Sequence, residues 1–269
     1  MVKEAAVKNE VVALPKSYLR DPFGSWWCVG CGYPLIIRLV CEVLDETGVA
    51  GDAIVIGGSG CHTGMPFAIN VDFAPIAHGR GPDSASAIKR LRPDRFVFTL
   101  QGDGDCIAIG TESLVQAAAR GELITVIMTN NGCYGNTGGQ MAPTTALKQV
   151  TATTSDGRDA ELHGLPIRAA ELVAALDGTA YSARGSVSSP ANYQRTKKYL
   201  KAAFQKQLDR AGFSFVEIVS MCPVNWRLSP LESLRQIDEE VVRQFPLGEF
   251  KNVERVRPVT AETPRAQRE

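Results

Sequence analysis

The stretch that decides the fold runs from FVFTL (96–100) through Gln101 into GDGD (102–105), on through IAIGTESLVQAAAR (107–120), and ends at LITVIMTNN (123–131). FVFTL and LITVIMTNN are short apolar runs, the pattern of strands buried on both faces of a parallel sheet. Between them apolar residues recur at helical spacing and stop at Gly121, a residue suited to closing a helix. Strand, helix and strand in that order imply a right-handed parallel crossover. Both strands end in small polar residues: Gly102-Asp103-Gly104-Asp105 after the first, Asn130-Asn131 after the second. In open parallel sheets ligands bind beyond the carboxyl ends of the strands, so the two ends address one crevice. Gly102 and Gly104 let the backbone approach a phosphate closely, and a helix from Ile107 turns its first N–H groups to the same anion. Asp103 and Asn131 supply hard oxygens suited to Mg²⁺ held between protein and phosphates. Either motif alone reads as an ordinary turn; the strand before each is what makes the pair a site.

Working outward, AIVIG (53–57) is another buried strand, opening into the glycine-rich turn Gly57–Cys61. Leu35, Ile36, Leu39, Val40 and Val43 give 34–45 a helical period, and Pro82 starts a helix over 82–91. Residues 62–81 read as irregular, and 132–165 carry no sustained period, which inside a compact domain marks a functional or partner-pinned segment. Helices are expected at 167–176, 190–211 and 231–243, with strands near 178–184 and 214–220. The fold class is α/β, a parallel sheet flanked by helices. One domain spans 1–250, with an extended arm over 1–27 leading into Cys28, and 251–269 form a polar C-terminal tail.

The 269 residues are 44% hydrophobic and 22% charged, ordinary globular values. Lys+Arg and Asp+Glu both number 29, so no net charge favours nucleic acid or an anionic membrane. No apolar run approaches the roughly 18 residues of a membrane span, and MVKEAAVKNEVVALPKSYLRD lacks a signal peptide's apolar stretch. The expectation is a cytoplasmic protein without nucleic-acid or membrane partners.

Seven cysteines, an odd count, argue against a disulfide framework. Cys28-Val29-Gly30-Cys31 is a C-x-x-C, Cys61 sits in the glycine-rich turn and Cys222 precedes a proline. Four such thiolates suit Zn²⁺ or a [4Fe–4S] cluster by count, and the residues alone leave zinc, cluster and no metal all open. Cys41, on the apolar face of a helix, reads as buried filler, as do the thiols of Cys106 and Cys133.

The longer motifs carry more. WCVGCG (27–32), HGR (78–80), QGDGDCIAIGTESLVQAAARGELITVIMTNN (101–131), YGNTGGQMAPTT (134–145) and CPVNW (222–226) resemble, in order and from about residue 20 to 250, the beta subunit of the 2-oxoacid:ferredoxin oxidoreductases. The GDGD…NN pair is similar to the thiamine diphosphate signature. The resemblance implies the diphosphate-binding module of a thiamine diphosphate-binding fold. It implies Mg²⁺ on Asp103, Asn131 and the Cys133 carbonyl, and a [4Fe–4S] cluster on Cys28, Cys31, Cys61 and Cys222. Gly102, Gly104, Asp105, Tyr134, Thr137 and Gly138 fall in cofactor-binding positions. His78 is expected to contact the cofactor, Arg80 the substrate or a neighbouring loop, and Asn136 the diphosphate or a reaction intermediate.

The activity so implied is oxidative decarboxylation of a 2-oxoacid with CoA, electrons leaving singly through the cluster to ferredoxin or a similar acceptor. The activating Glu and the pyrimidine-binding module belong in this family to a separate alpha subunit, with ferredoxin-like and gamma subunits as further partners. Asn136 is shared with pyruvate-type members, whereas many 2-oxoglutarate and branched-chain members are apolar there. The substrate therefore stays open among 2-oxoglutarate, branched-chain, pyruvate-like, aryl-glyoxylate and oxalate types. His62 and Tyr33 depart from the small residue and the His more usual at their positions. Two rival readings are a non-redox thiamine diphosphate decarboxylase or carboligase with structural zinc, and a non-catalytic nucleotide-binding scaffold. The basic run Arg195–Lys201 reads as a solvated helix face or a docking patch, and His163 as a surface loop residue.

Overall fold

The computed structural model describes residues 13–19 and 26–256. Helix α1 (Tyr33–Thr47) starts behind Gly32 with Pro34 in its first turn and ends at Gly48, whose φ of 72° closes the last carbonyls of Asp45 and Leu44. Strand β1 (Ala53–Gly57) leads through a 3₁₀ turn, Cys61–Phe67, to the edge strand β2 (Asp72–Pro75). Then come α2 (Gly81–Leu91), β3 (Phe96–Gly102), a π-helical turn at Gly104–Ile109, α3 (Thr111–Ala119) and β4 (Thr125–Asn130). A small hairpin of β5 (Cys133–Tyr134) and β6 (Gln140–Met141) precedes α4 (Ala160–His163) and α5 (Ala169–Ala174). The chain finishes with β7 (Thr179–Ser186), α6 (Pro190–Leu208), β8 (Phe213–Val219), α7 (Pro223–Trp226), α8 (Pro230–Gln236) and β9 (Gly248–Asn252).

The main sheet has the order β2-β1-β3-β4-β8-β7-β9, parallel throughout except for β9, which pairs antiparallel with β7. Alternate residues feed two cores. Val55, Phe98, Ile127 and Val216 pack with Ile36, Leu39 and Phe204 of α1 and α6. Ile56, Val97, Val126 and Phe215 pack with Ala85, Leu114 and Val173 of α2, α3 and α5. Covering both faces is why the central strands read as uninterrupted apolar runs. Phe204 meets Phe96 at 4.6 Å and Phe98 at 5.8 Å between ring centroids, and truncating it to Ala would cost about 3–5 kcal/mol.

Several expectations are corrected. The segment 62–81 is not wholly irregular, since it contains β2. The helix expected over 107–120 is broken: a π turn from Gly104 comes first, and α3 starts only at Thr111. A Cβ on Gly110 would run into the Asp105 carbonyl, so the break is a site of close backbone packing. The 190–211 helix ends at Leu208, and α7 was not foreseen. Strand β9 crosses the expected boundary at 250, and the Val256 N–H binds the Ala211 carbonyl at 2.7 Å; the remainder of the tail, 257–269, lies outside the described residues. So do 1–12 and 20–25 of the arm, whose residues Lys16 and Ser17 are held on α1 by Asp45 and Cys41. The basic run on α6 is largely committed: Lys197 bridges Glu42 and Glu46 of α1, and Lys201 also reaches Glu46.

Candidate functional site

Strands β3 and β4 lie side by side with Gly102 opposite Thr129, so Asp103 and Asn131 emerge as neighbours. With the turn after β1 they wall a cavity of about 220 Å³. Its lining includes Gly102, Asp103, Gly104, Asp105, Asn131, Cys133, Tyr134, Asn136, Thr137 and His78. Arg80 and Gly138 are not brought to it. Arg80 is half exposed and pairs with Asp83 at 3.4 Å and Glu112 at 3.3 Å, which holds it on the outer end of α2.

Asp103 is buried and fully engaged. Its carboxylate accepts from the Gly104 and Gly132 N–H groups, both at 2.9 Å, and from the Thr144 hydroxyl at 2.6 Å. Burial still pushes its pKa up to about 7 against those three donors. A carboxylate so desolvated calls for a counter-charge, as a cation would supply. Asn131 Oδ1 accepts from the Cys133 N–H at 3.1 Å. Asn130 faces the other way: its Nδ2 binds Glu217 Oε1 at 2.7 Å, and its Oδ1 accepts from Gly132 N–H at 3.0 Å. A Cβ on Gly104 would enter the Tyr134 ring, so only glycine allows that approach.

Asp105 plays a different part from its neighbour. Its oxygens lie 2.8 Å from His78 Nδ1 and 3.3 Å from His62 Nε2, and accept from Gln101 Nε2 at 2.8 Å and the Gly79 N–H at 2.6 Å. Burial opposes ionisation, but His62, Gln101 and Gly79 together hold the carboxyl below its usual value. Asp105 thus lies between two imidazoles. His62 is buried, its Nδ1 accepts from the Gly102 N–H at 3.2 Å, and its Nε2 edge faces Asp105.

The cysteines gather on the adjoining flank. In the C-x-x-C turn the Cys31 N–H binds the Cys28 carbonyl at 3.0 Å, and Gly30, at φ 76°, backs directly onto the Pro230 ring. Burial raises Cys31 to about 12, with Cys222, Cys61 and Cys28 adding, and Cys61 to about 11, with Cys222 and Cys28 adding. Cys222 goes the other way, to about 6: a hydrogen bond from the Cys133 thiol outweighs its burial, and Asn225 adds two more donors. Among the described residues no three His, Cys, Asp or Glu side chains converge closely enough to hold a single metal ion. Tyr33 and Trp27 stack at 6.1 Å beside the thiols, and the Trp27 indole N–H binds the Cys61 carbonyl at 2.8 Å.

Five contributors have no role assigned from the sequence. His62 and Gln101 act through Asp105, Thr144 through Asp103, and Glu217 through Asn130. Trp226, inside CPVNW, donates its indole N–H to the Asn131 carbonyl at 3.0 Å. Gln101, Thr144 and Trp226 lie inside motifs already singled out and His62 stands out as a departure, whereas Glu217 carries no signal.

Residues 58–218 match the family described as thiamine pyrophosphate enzyme, C-terminal TPP binding domain. The chain is 36% identical over 231 residues to the ketoisovalerate oxidoreductase subunit VorA of Methanothermobacter thermautotrophicus, covering 86% of this chain and 48% of that protein. It thus spans about half the length of that relative. It is 32% identical over 253 residues to the 2-oxoglutarate synthase subunit KorB of the same organism, covering 87% of this chain and 84% of KorB. Among solved structures it resembles the 2-oxoglutarate:ferredoxin oxidoreductase from Magnetococcus marinus with 2-oxoglutarate, coenzyme A and succinyl-CoA bound. There the TM-score is 0.73 and the identity 25%, over 94% of this chain and 89% of the other.

Proposed function

The chain belongs to the thiamine pyrophosphate-binding subunits of the 2-oxoacid:ferredoxin oxidoreductases, and on that premise we propose that it is the beta subunit of a CoA-acylating enzyme. The reaction converts a 2-oxoacid and CoA to acyl-CoA, CO₂, two protons and two electrons, and the electrons pass singly to ferredoxin or a similar acceptor. Asp103, Asn131 and the Cys133 carbonyl would hold Mg²⁺ against the diphosphate, and Cys28, Cys31, Cys61 and Cys222 a [4Fe–4S] cluster. Bound thiamine diphosphate supplies the electron sink for loss of CO₂.

This chain's own residues do the positioning. The Gly102–Gly104 turn and the Asp103 hydrogen bonds fix the diphosphate end. Asp105 aims His78, which is partly open to the cavity, at whatever lies there. Tyr33 lines the cavity beside the thiols, and Trp27 stacks on it. The observation that carries the reading is the turn Cys222–Trp226. Its first residue is one of the four thiols, and its last holds the carbonyl of Asn131. One short element thereby ties the two proposed centres together, as single-electron transfer between them requires.

A cavity of about 220 Å³ falls short of the roughly 300–1,000 Å³ of complete ligand sites. That supports completion by an alpha subunit bearing the pyrimidine-binding module and its Glu, with ferredoxin-like and gamma subunits carrying electrons onward. CoA as co-substrate is supported by the CoA and succinyl-CoA bound in the Magnetococcus marinus enzyme. The test is CoA-dependent viologen reduction by the co-purified complex across a 2-oxoacid panel. One substrate class should drive it, Asp103→Ala should abolish it, and the single chain should be inert. Decarboxylation without dye reduction would overturn the redox assignment in favour of a zinc-bearing decarboxylase or carboligase.

A further inference from the structure

The Cys222 sulfur is surrounded by donors. Asn225 Nδ2 donates to it at 3.2 Å, the Asn225 backbone N–H points to it, and the Cys133 thiol lies beside it as a second available donor. These donors are held in place rather than free to turn away. Asn225 Nδ2 also binds the Gly135 carbonyl at 2.9 Å, and the Gly139 backbone presses against the Asn225 side chain so closely that a Cβ there would collide with it. Cys133 is 2% exposed and sits in β5, paired with Met141 of β6. Its S–H donates to Asn131 Oδ1 at 3.6 Å, a long bond that rotation about Cβ–S can exchange for the Cys222 sulfur. A Cβ on Gly135 would stand 3.4 Å from the Cys61 sulfur and 3.7 Å from that of Cys222, so this hairpin lies directly on two of the four thiols.

Hydrogen bonds to a ligating sulfur withdraw charge from it and favour the reduced, more negative cluster. We propose that Cys133 and Asn225 are positioning residues that set the reduction potential of the cluster held through Cys222, by donating to its sulfur. The inference deepens the proposed function and rests on its cluster. It also gives residue 133 a second role, because its carbonyl serves the diphosphate side while its thiol serves the cluster side. A role for that thiol is not visible in the sequence, where Cys133 reads as filler.

The experiment is a potentiometric titration of the anaerobically purified complex, followed in the visible and by electron paramagnetic resonance, after iron and sulfide have been counted. Cys133→Val and Asn225→Ala should each lower the reduced-to-oxidised ratio at fixed potential about tenfold, equivalent to a midpoint about 59 mV more negative for a one-electron couple. Cys133→Ser, which keeps a donor, should recover most of the native midpoint. A native midpoint in cluster-loaded Cys133→Val overturns the role of Cys133. If Cys133→Val loads no cluster, Cys133→Ser and Asn225→Ala decide: a Ser variant as low as Asn225→Ala, or both at the native midpoint, overturns the proposal. A native complex without iron and sulfide overturns the proposed function itself, a result distinct from an intact cluster with an unmoved potential.

Discussion

Asn130 Nδ2 donates to Glu217 Oε1 at 2.7 Å, while Glu217 Oε2 lies 2.9 Å from Arg184 Nε. Arg184 and Glu217 are fully buried. Arg184 is further held by Glu171 and by the Phe245 and Phe250 rings, 5.3 and 5.0 Å from its guanidinium carbon. Asn130 passes this order on to Gly132, whose N–H serves both Asn130 and Asp103. A buried ion pair on the next two strands of the sheet, β8 and β7, therefore braces the turn that carries Asn131.

Removing one partner of that pair leaves an uncompensated buried charge. Glu217→Ala should destabilise the chain by about 3–5 kcal/mol, read as a lower denaturation midpoint. The double change Glu217→Leu with Arg184→Met should recover much of that loss, because it leaves no unpaired charge. A single variant as stable as the parent would contradict the buried bracing.

The ladder between α1 and α6 makes a pH prediction. Burial opposes it, but Lys197 and Arg38 hold Glu42 below its ordinary value; Lys197, then Lys201 against slight burial, does the same for Glu46. A carboxylate with a depressed folded pKa stabilises above its unfolded pKa, about 4.3, and that contribution is lost as pH falls through the lower folded value. Lys197→Met should thus cost about 0.5–1 kcal/mol at neutral pH, and the cost should vanish at strongly acid pH. A penalty that stays constant down to acid pH would mean that Lys197 acts through packing alone.

Gly104→Ala tests the close approach at the diphosphate turn. The new methyl must displace the Tyr134 ring, at a cost of about 1–3 kcal/mol. Thiamine diphosphate retention by the complex should fall accordingly, and a second change, Tyr134→Leu, should restore part of it. Unchanged retention in Gly104→Ala would show that the ring does not border the cofactor.

What could be read in advance follows from range. Strands β1, β3 and β4 announce themselves because both faces are buried, and Asp103 and Asn131 because they stand directly after such strands. Strand β2 (DFAP) and strand β9 (GEFKN) lie at sheet edges with partly exposed side chains, so neither shows an apolar run. The helix break at Gly110 depends on the Asp105 carbonyl, a contact that no periodicity contains. Glu217 reaches Asn130 across 87 positions, and His62 reaches Gly102 across 40; such pairings exist only once the sheet has assembled. Arg80 shows the converse limit: its tripeptide is legible, but its side chain is drawn outward by Glu112.

The proposed function has thiamine chemistry and single-electron transfer meet on this chain. Its most direct test is an anaerobic visible spectrum of the co-purified complex before and after a 2-oxoacid is added with CoA. Broad iron–sulfur absorbance that bleaches with one substrate class is expected. A featureless spectrum accompanied by stoichiometric zinc would contradict it.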